Sequence, residues 1–259
     1  MTASTIIIHH AGCWRPEQVQ VRAVASSWPA HPELNELIDR TWCEAQARGT
    51  MNLFDGAMCR LESVQRRGED LLLELSPTSY KLFYGTNLMH PDVAERFGPD
   101  ALARPVGVSP ALISADNHLL LGRRNASVAY YPNRLHPFAG ALEPDDALDV
   151  FAAVRRELHE ELSLRDHDLS EIVCTGVVED TRLRQRELIF AARCNLTRDQ
   201  IARQVHASEH LDAWSVPATA DAIMQALVAQ KAVFTPVARA AMLLFGRIAF
   251  GTQWFEDCR

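Results

Sequence analysis

RRELHEEL, residues 155–162, places Glu157, Glu160 and Glu161 within five positions of a chain whose formal net charge is already −7. Side chains three and four apart on a helix are neighbours, so Glu157 would face both of the others. Like charges at that spacing destabilise a helix unless something positive sits among them. Phe151, Val154, Leu158 and Leu162 recur on a different face, which predicts an amphipathic helix over about 147–162. Arg156 can pair with Glu160, but with the cation N-terminal to the anion, the weaker orientation. Two explanations stand at this point. One is a solvated acidic face. The other is a divalent cation held by carboxylate oxygens for attack on a phosphoanhydride.

Working outward, 259 residues that are 47% hydrophobic and 23% charged supply a full core for one or two domains. The acidic balance argues against a nucleic-acid-binding surface, and a phosphorylated ligand would need a local cluster of Arg or a metal ion. The six cysteines are scattered without a CxxC pair, as expected of reduced thiols in a cytoplasmic protein. The N-terminus has no early Lys or Arg and only three consecutive apolar residues, so it does not read as a signal peptide. The apolar stretch 237–250 is too short to span a bilayer and contains Arg239 and Arg247, so no membrane association is expected.

Strands are expected at 4–9, 18–24, 57–64 and 70–76, the last two as a hairpin, with a helix over 31–46 and a short helix at 79–85 stopped by Gly85. The stretch 90–105, rich in Pro, Gly and charge, suggests a boundary between an N-terminal α+β domain (1–100) and a second domain (101–259). Beyond it, strands are expected at 106–113, 118–124, 171–179, 186–194 and 211–216, and further helices near 219–230 and 236–249. Strands and helices mixed without strict alternation predict an α+β layered fold.

Residues 140–164, GALEPDDALDVFAAVRRELHEELSL, resemble the Nudix box, which runs Gly, five residues, Glu, seven residues, then Arg-Glu-apolar-x-Glu-Glu-x-Gly-apolar. Gly140 supplies the first element, and Arg156, Glu157, Leu158, Glu160, Glu161 and Leu164 match the second half. Gly140 to Arg156 is two residues longer than the pattern, so either Asp146 or Asp149 takes the place of the first Glu. Ser163 replaces the Gly that ends the helix, and its lower tolerance of a left-handed terminus predicts a differently shaped end. FDGAMCRL (54–61), LLLELSPTSYKLFYGTN (71–87), PVGVSPALISADNHLLLGRR (105–124) and TPVARAAMLLFGRI (235–248) extend the resemblance to the animal Nudix hydrolases that act on UDP-glucose and UDP-galactose.

That resemblance implies a Nudix α/β/α sandwich with a mixed central sheet, preceded by a smaller α+β domain that contributes to the nucleotide pocket. It implies hydrolysis of a nucleoside diphosphate sugar to UMP and a sugar 1-phosphate with Mg²⁺, for which Mn²⁺ can substitute. Glu157 and Glu161 would be the principal metal ligands with Glu160 assisting, and Arg156 would orient them. Phe54 and Tyr80 would line the uracil pocket, Arg124 and Arg239 would meet the diphosphate, and Glu143 would lie on the ligand side of the box. Glu209, just ahead of a strand, is the first candidate for general base, with Glu187 a weaker one. His210 reads as a solvated loop histidine. The alternatives are a diphosphatase for ADP-ribose, dinucleotides or coenzyme A, and a nucleotide sensor without turnover.

Overall fold

The computed structural model describes residues 5–29, 31–49, 53–144, 148–229 and 233–259. Its larger sheet runs in the order β1 (Ile6–Trp14), β9 (Leu169–Asp180), β10 (Gln185–Cys194), β5 (Val106–Ile113), β6 (His118–Arg124) and β11 (His210–Pro217). Two short strands join it, β7 (Leu135–His136) beside β6 and β8 (Gly140–Ala141) beside β5. Only β10 and β5 run parallel; the other pairs are antiparallel. A smaller sheet has the order β2 (Val19–Ala23), β4 (Asp70–Ser79), β3 (Ala57–Arg67).

The large sheet is apolar on both faces because successive side chains alternate across the pleat. Val106, Val108 and Leu112 of β5 join Leu188 and Phe190 of β10 in one core. Helix α4 (Val150–Leu162) and Leu61, Leu71, Leu73 and Leu75 of the smaller sheet close that core. Ala111, Ile113, Ile189 and Ala191 face the other core, closed by α6 (Ala220–Ala229), α7 (Pro236–Phe250) and α8 (Thr252–Cys258). The architecture is the mixed α+β layering that the sequence predicts.

Three local expectations are corrected. Strand β1, placed by sequence in the N-terminal domain, pairs with β9 in the large sheet, so the two sheets do not divide at residue 100. Gly85 does not stop its helix: α2 (Tyr80–Phe83) continues through a π-helical turn, Tyr84–Leu88. A Cβ on Gly85 would lie 2.9 Å from Ile38 Cγ2, so glycine is there for close packing against α1 (Pro32–Arg48). The first strand is also longer than the apolar run alone predicts.

Arg60, on β3, ties the smaller sheet to the segments around Ser27 and 100–102. It is fully buried, its Nε lies 3.0 Å from Glu62 Oε1, and Nη2 donates to Ser27 Oγ (3.0 Å) and Asp100 Oδ1 (3.2 Å). Nη1 also donates to the Leu102 carbonyl. Burial opposes ionisation of Glu62, but hydrogen bonds from Ser76 and Ser27 and the Arg60 charge outweigh it and bring the carboxyl down to about 2. A buried charge is tolerable when ion pairs and hydrogen bonds compensate it.

Candidate active site

Helix α4 starts at Asp149, whose Oδ1 accepts from the amides of Phe151 (2.9 Å) and Ala152 (3.1 Å), a side-chain N-cap. Asp149 is thus engaged in holding the helix start. Asp146, the other acidic residue weighed for this loop, lies outside the described residues. At the far end Ser163 adopts φ 54° and ψ 21°, the left-handed conformation glycine would take. Its amide donates to the His159 carbonyl (2.8 Å) and that of Leu164 to Leu158 (3.3 Å). The helix end therefore keeps the usual glycine-terminated shape, contrary to expectation, at a conformational cost of about 1 kcal/mol.

The buried stripe of α4 includes Val150, Ala153, Val154, Leu158 and also Glu157 and Glu161, which are only 6% and 4% exposed. Glu160 points outward, so the three carboxylates do not converge: two go inside and one stays at the surface. Strand β8 lies directly on Glu157. Arg156 ties these parts together through Nη1 to Glu157 Oε1 (2.7 Å) and Glu160 Oε2 (3.2 Å), and Nη2 to the Ala141 carbonyl (3.0 Å). Glu143 Oε1 lies 3.8 Å from the same guanidinium.

Glu161 has no such support. Among the described residues its oxygens make no hydrogen bond of good geometry, the Ala139 amide and the Glu209 carboxyl lying nearby, and His210 Nε2 is 3.3 Å from Oε2. His210 is not a solvated loop residue: it is 1% exposed, with its ring against Phe138 at 5.0 Å between centroids. A Cβ on Gly122 would lie 2.3 Å from its Nδ1, so this glycine makes room for the ring. Burial, reinforced by the Arg124 charge, holds the imidazole down to about 4, so it is neutral and does not compensate Glu161. Burial pushes Glu157 up to about 8 against the opposing pull of Arg156, with Glu161 and Glu160 adding repulsion. Burial also raises Glu161 well above the carboxylate range, and the next largest cause is the charge of Glu209.

Alongside lies a cleft of about 430 Å³ lined by Phe54, Tyr80, Arg124, Glu143 and Glu209, five residues expected at the site from sequence. Phe54 stands at its rim, 77% exposed. Tyr80 packs edge-on to Trp42, with centroids 6.2 Å apart. Arg124 is buried at the end of β6 with its Nε unpartnered and its guanidinium 4.8 Å above the Tyr130 ring. Glu209 is exposed in the turn before β11. Arg239 is not brought here: on α7 its Nη1 donates to the Leu227 carbonyl (2.8 Å).

Four lining residues were not singled out or ranked low. Tyr130 lies in a loop and His136 on the two-residue strand β7, neither long enough to show periodicity, and their one signal is the short distance in sequence to Gly140. Gln185 and Glu187 sit at the start of β10. Glu187 Oε2 accepts from Ser109 Oγ (3.0 Å) and Oε1 from Gln185 Nε2 (2.8 Å), and burial pushes the carboxyl up to about 8. Among the described residues no three acidic, histidine or cysteine side chains form a ready-made metal cluster.

Residues 103–236 match the NUDIX domain model. The chain is 29% identical over 235 residues to uridine diphosphate glucose pyrophosphatase NUDT22 of Homo sapiens, covering 77% of this chain and 76% of that protein. It is 30% identical over 224 residues to the Bos taurus protein of the same name, with 73% and 76% covered. Among solved structures it is similar to DR0079 of Deinococcus radiodurans, with a TM-score of 0.41, 20% identity, and 53% and 80% of the two chains covered.

Proposed function

This chain belongs to the Nudix family, and we propose that it is a divalent-metal-dependent hydrolase of nucleoside diphosphate sugars, cleaving UDP-glucose or UDP-galactose to UMP and a sugar 1-phosphate. The observation that carries this reading is the pair of buried, incompletely compensated carboxylates Glu157 and Glu161 beside a cleft with an aromatic rim and a buried arginine.

The residues fit a hard cation. Both Glu161 oxygens are buried without a hydrogen bond of good geometry among the described residues, and the neighbouring histidine is held neutral. Oxygen donors of this kind suit Mg²⁺ or Mn²⁺. Glu157 and Glu161 would hold the ion, with Glu209 and Glu160 as the nearest further carboxylates. When bound, the ion supplies charge stabilisation at the diphosphate and a more acidic water.

The remaining chemistry belongs to the chain's own side chains. Water adds to one phosphorus, the bridging P–O bond breaks, and the bridging oxygen leaves on the other phosphate. Glu209, exposed on the cleft wall, accepts the proton from the water. Arg124 carries its charge toward the diphosphate from a site where burial strengthens the interaction. Arg156 fixes Glu157 through a 2.7 Å charge-assisted bond and anchors α4 to β8. Phe54 and Tyr80 offer faces for the uracil ring. Glu143, on the ligand side of β8, faces the cleft.

A cytoplasmic setting is consistent with six cysteines that are all free thiols. Among the described residues no helix is long and apolar enough to cross a membrane. The deciding experiment is hydrolysis of UDP-glucose, UDP-galactose, ADP-ribose, a dinucleoside polyphosphate and coenzyme A in Mg²⁺, read as nucleotide release. A UDP-sugar is expected to have the highest kcat/KM. A clear preference for ADP-ribose would overturn the substrate assignment and leave the hydrolase class standing.

A further inference from the structure

A second groove, of about 480 Å³, opens on another side of the molecule, where the segment ending at Arg104 meets the turn between β9 and β10. Three arginines line it, Arg104, Arg184 and Arg186, against one carboxylate, Glu179. In a chain of net charge −7 this is a local reversal of sign. The available anions are already shared. Glu179 Oε2 lies 2.9 Å from His9 Nε2 and 3.7 Å from Arg186 Nε. Asp100 Oδ1 receives Arg104 Nη1 at 3.0 Å and also the buried Arg60 at 3.2 Å. The guanidinium of Arg184 makes no hydrogen bond or ion pair among the described residues.

Neighbouring groups respond to burial first and to the clustered cations second. Burial lowers His10, and the charges of His9, Arg66 and Arg186 push in the same direction. Burial likewise lowers Arg186, with Arg104 the next cause.

The groove is also held in shape. Arg104 and Arg184 have φ of 48° and 49°, a region that non-glycine residues seldom occupy and that persists only where surroundings enforce it. One buried side chain enforces both. Asn87 Oδ1 accepts from the Ala103 amide (3.0 Å), while its Nδ2 donates to the carbonyls of Leu183 (2.9 Å) and Arg184 (3.2 Å). A single amide thus fixes the two segments that present the arginines. The pleat of β10 sorts its first side chains, Gln185 and Glu187 to the cleft and Arg186 to the groove, where Arg184 joins it from the preceding turn.

We propose that this groove binds a small phosphate-bearing anion through Arg104, Arg184 and Arg186. Guanidinium forks match phosphate oxygens in pairs, and three of them around one concave site exceed what the local carboxylates neutralise. The volume suits a small molecule, and the acidic chain as a whole disfavours a nucleic acid.

The test uses the full chain in EDTA, titrated with inorganic phosphate in one arm and glucose 1-phosphate in the other, against sodium chloride at equal ionic strength. Thermal melting gives the half-saturating concentration, and amide chemical shifts give the location. Either phosphate compound is expected to raise Tm beyond the chloride control, and the arm with the stronger effect identifies the ligand source. Arg184→Gln should raise the half-saturating concentration about tenfold, the loss of roughly one charge-assisted partner. Should that variant not fold, shift changes confined to residues 100–104 and 179–186 of the unmodified protein make the same distinction. An unchanged response in Arg184→Gln, a Tm shift no larger than chloride gives, or shift changes confined to the cleft would overturn the proposal.

Discussion

A methyl group on Gly140 would lie 2.2 Å from Oε1 of Glu157, closer than any ordinary contact, so strand β8 and the carboxylate occupy adjoining space with none to spare. Gly140→Ala must displace one or the other. A misplacement near 1 Å at a reacting centre costs on the order of a hundredfold in rate. We expect kcat on UDP-glucose in Mg²⁺ to fall by about that factor, with Tm changed only slightly. Activity close to that of the unmodified enzyme would mean that Glu157 need not stay where it is.

Glu161→Gln removes a carboxyl that burial holds against ionisation and that only a bound cation would keep charged. Turnover should fall by several kcal/mol in barrier terms, because charge stabilisation at the diphosphate is lost. In EDTA at neutral pH the same variant should melt higher than the unmodified protein, since burying the amide needs no proton uptake whereas burying the carboxyl does. A folded variant that keeps more than a small fraction of activity at saturating Mg²⁺ would remove Glu161 from the metal site.

Glu157 and Glu187 are both raised to about 8, from an ordinary value of 4.5. Between those values the folded chain holds protons that the unfolded chain has released, so stability is greatest at the acid end and declines as pH rises toward 8. His210 and His136, both held below the ordinary imidazole value, act in the opposite sense up to about pH 6.5, so in EDTA Tm should drop between pH 6.5 and pH 8.5. Glu187→Gln should flatten the part of the slope owed to that residue. Mg²⁺ should flatten the Glu157 part, because a bound cation favours the ionised form. A Tm that is flat or rising in EDTA over this interval would contradict the burial argument.

Phe54 and Tyr80 differ in how they are held, and their alanine variants should differ accordingly. Phe54→Ala, at an exposed rim, should leave Tm within about 0.5 kcal/mol of unmodified stability and weaken UDP-glucose binding by about 1–3 kcal/mol. Tyr80→Ala should weaken binding similarly but also lower Tm, because its ring packs against Trp42 and Tyr84. KM should change more than kcat, since stacking is present before and during reaction. Unchanged KM in both variants would place the base elsewhere.

The two ends of α4 give a prediction independent of catalysis. Asp149→Ala should cost about 1 kcal/mol by removing the cap, while Asp149→Asn should cost much less. Ser163→Gly should stabilise by about 1 kcal/mol through relief of the left-handed strain, less any contribution from the Ser163 Oγ to His206 contact at 2.9 Å. Thermal or urea unfolding measures all three. A destabilised Ser163→Gly would show that the His206 contact outweighs the backbone term.

What the sequence makes legible follows from locality. The α4 carboxylates, the hairpin of β3 and β4 and most strands of the large sheet announce themselves through spacing or alternation. The split of Glu157 and Glu161 from Glu160 depends on which side of α4 meets the sheet, which pairwise spacing does not specify. His210 sits in a short polar segment beside a strand, a pattern that marks a solvated residue; its burial depends on Gly122, on a strand far away in sequence, which makes room for the ring. Tyr130 and His136 carry no periodicity at all; only the closure of their loop over the cleft brings them to Arg124. Arg239 shows the converse, a plausible charge in a matching segment that the fold directs to the Leu227 carbonyl.

The placement of β1 has a consequence for how the chain comes together. His9 reaches Glu179 across 170 positions, and the strands that carry them are hydrogen-bonded along most of their length. The chain enters the large sheet, leaves to build the smaller one, and returns to finish what it began. Closing so long a loop is entropically unfavourable until much of the intervening chain is ordered, so β1 should dock late in folding. A fragment cut at residue 101 would leave the edge of β9 unpaired, offering a template for strand addition between molecules. Expressed alone, that fragment should aggregate, and supplying residues 1–100 in trans should restore solubility only if β1 can find the edge that waits for it.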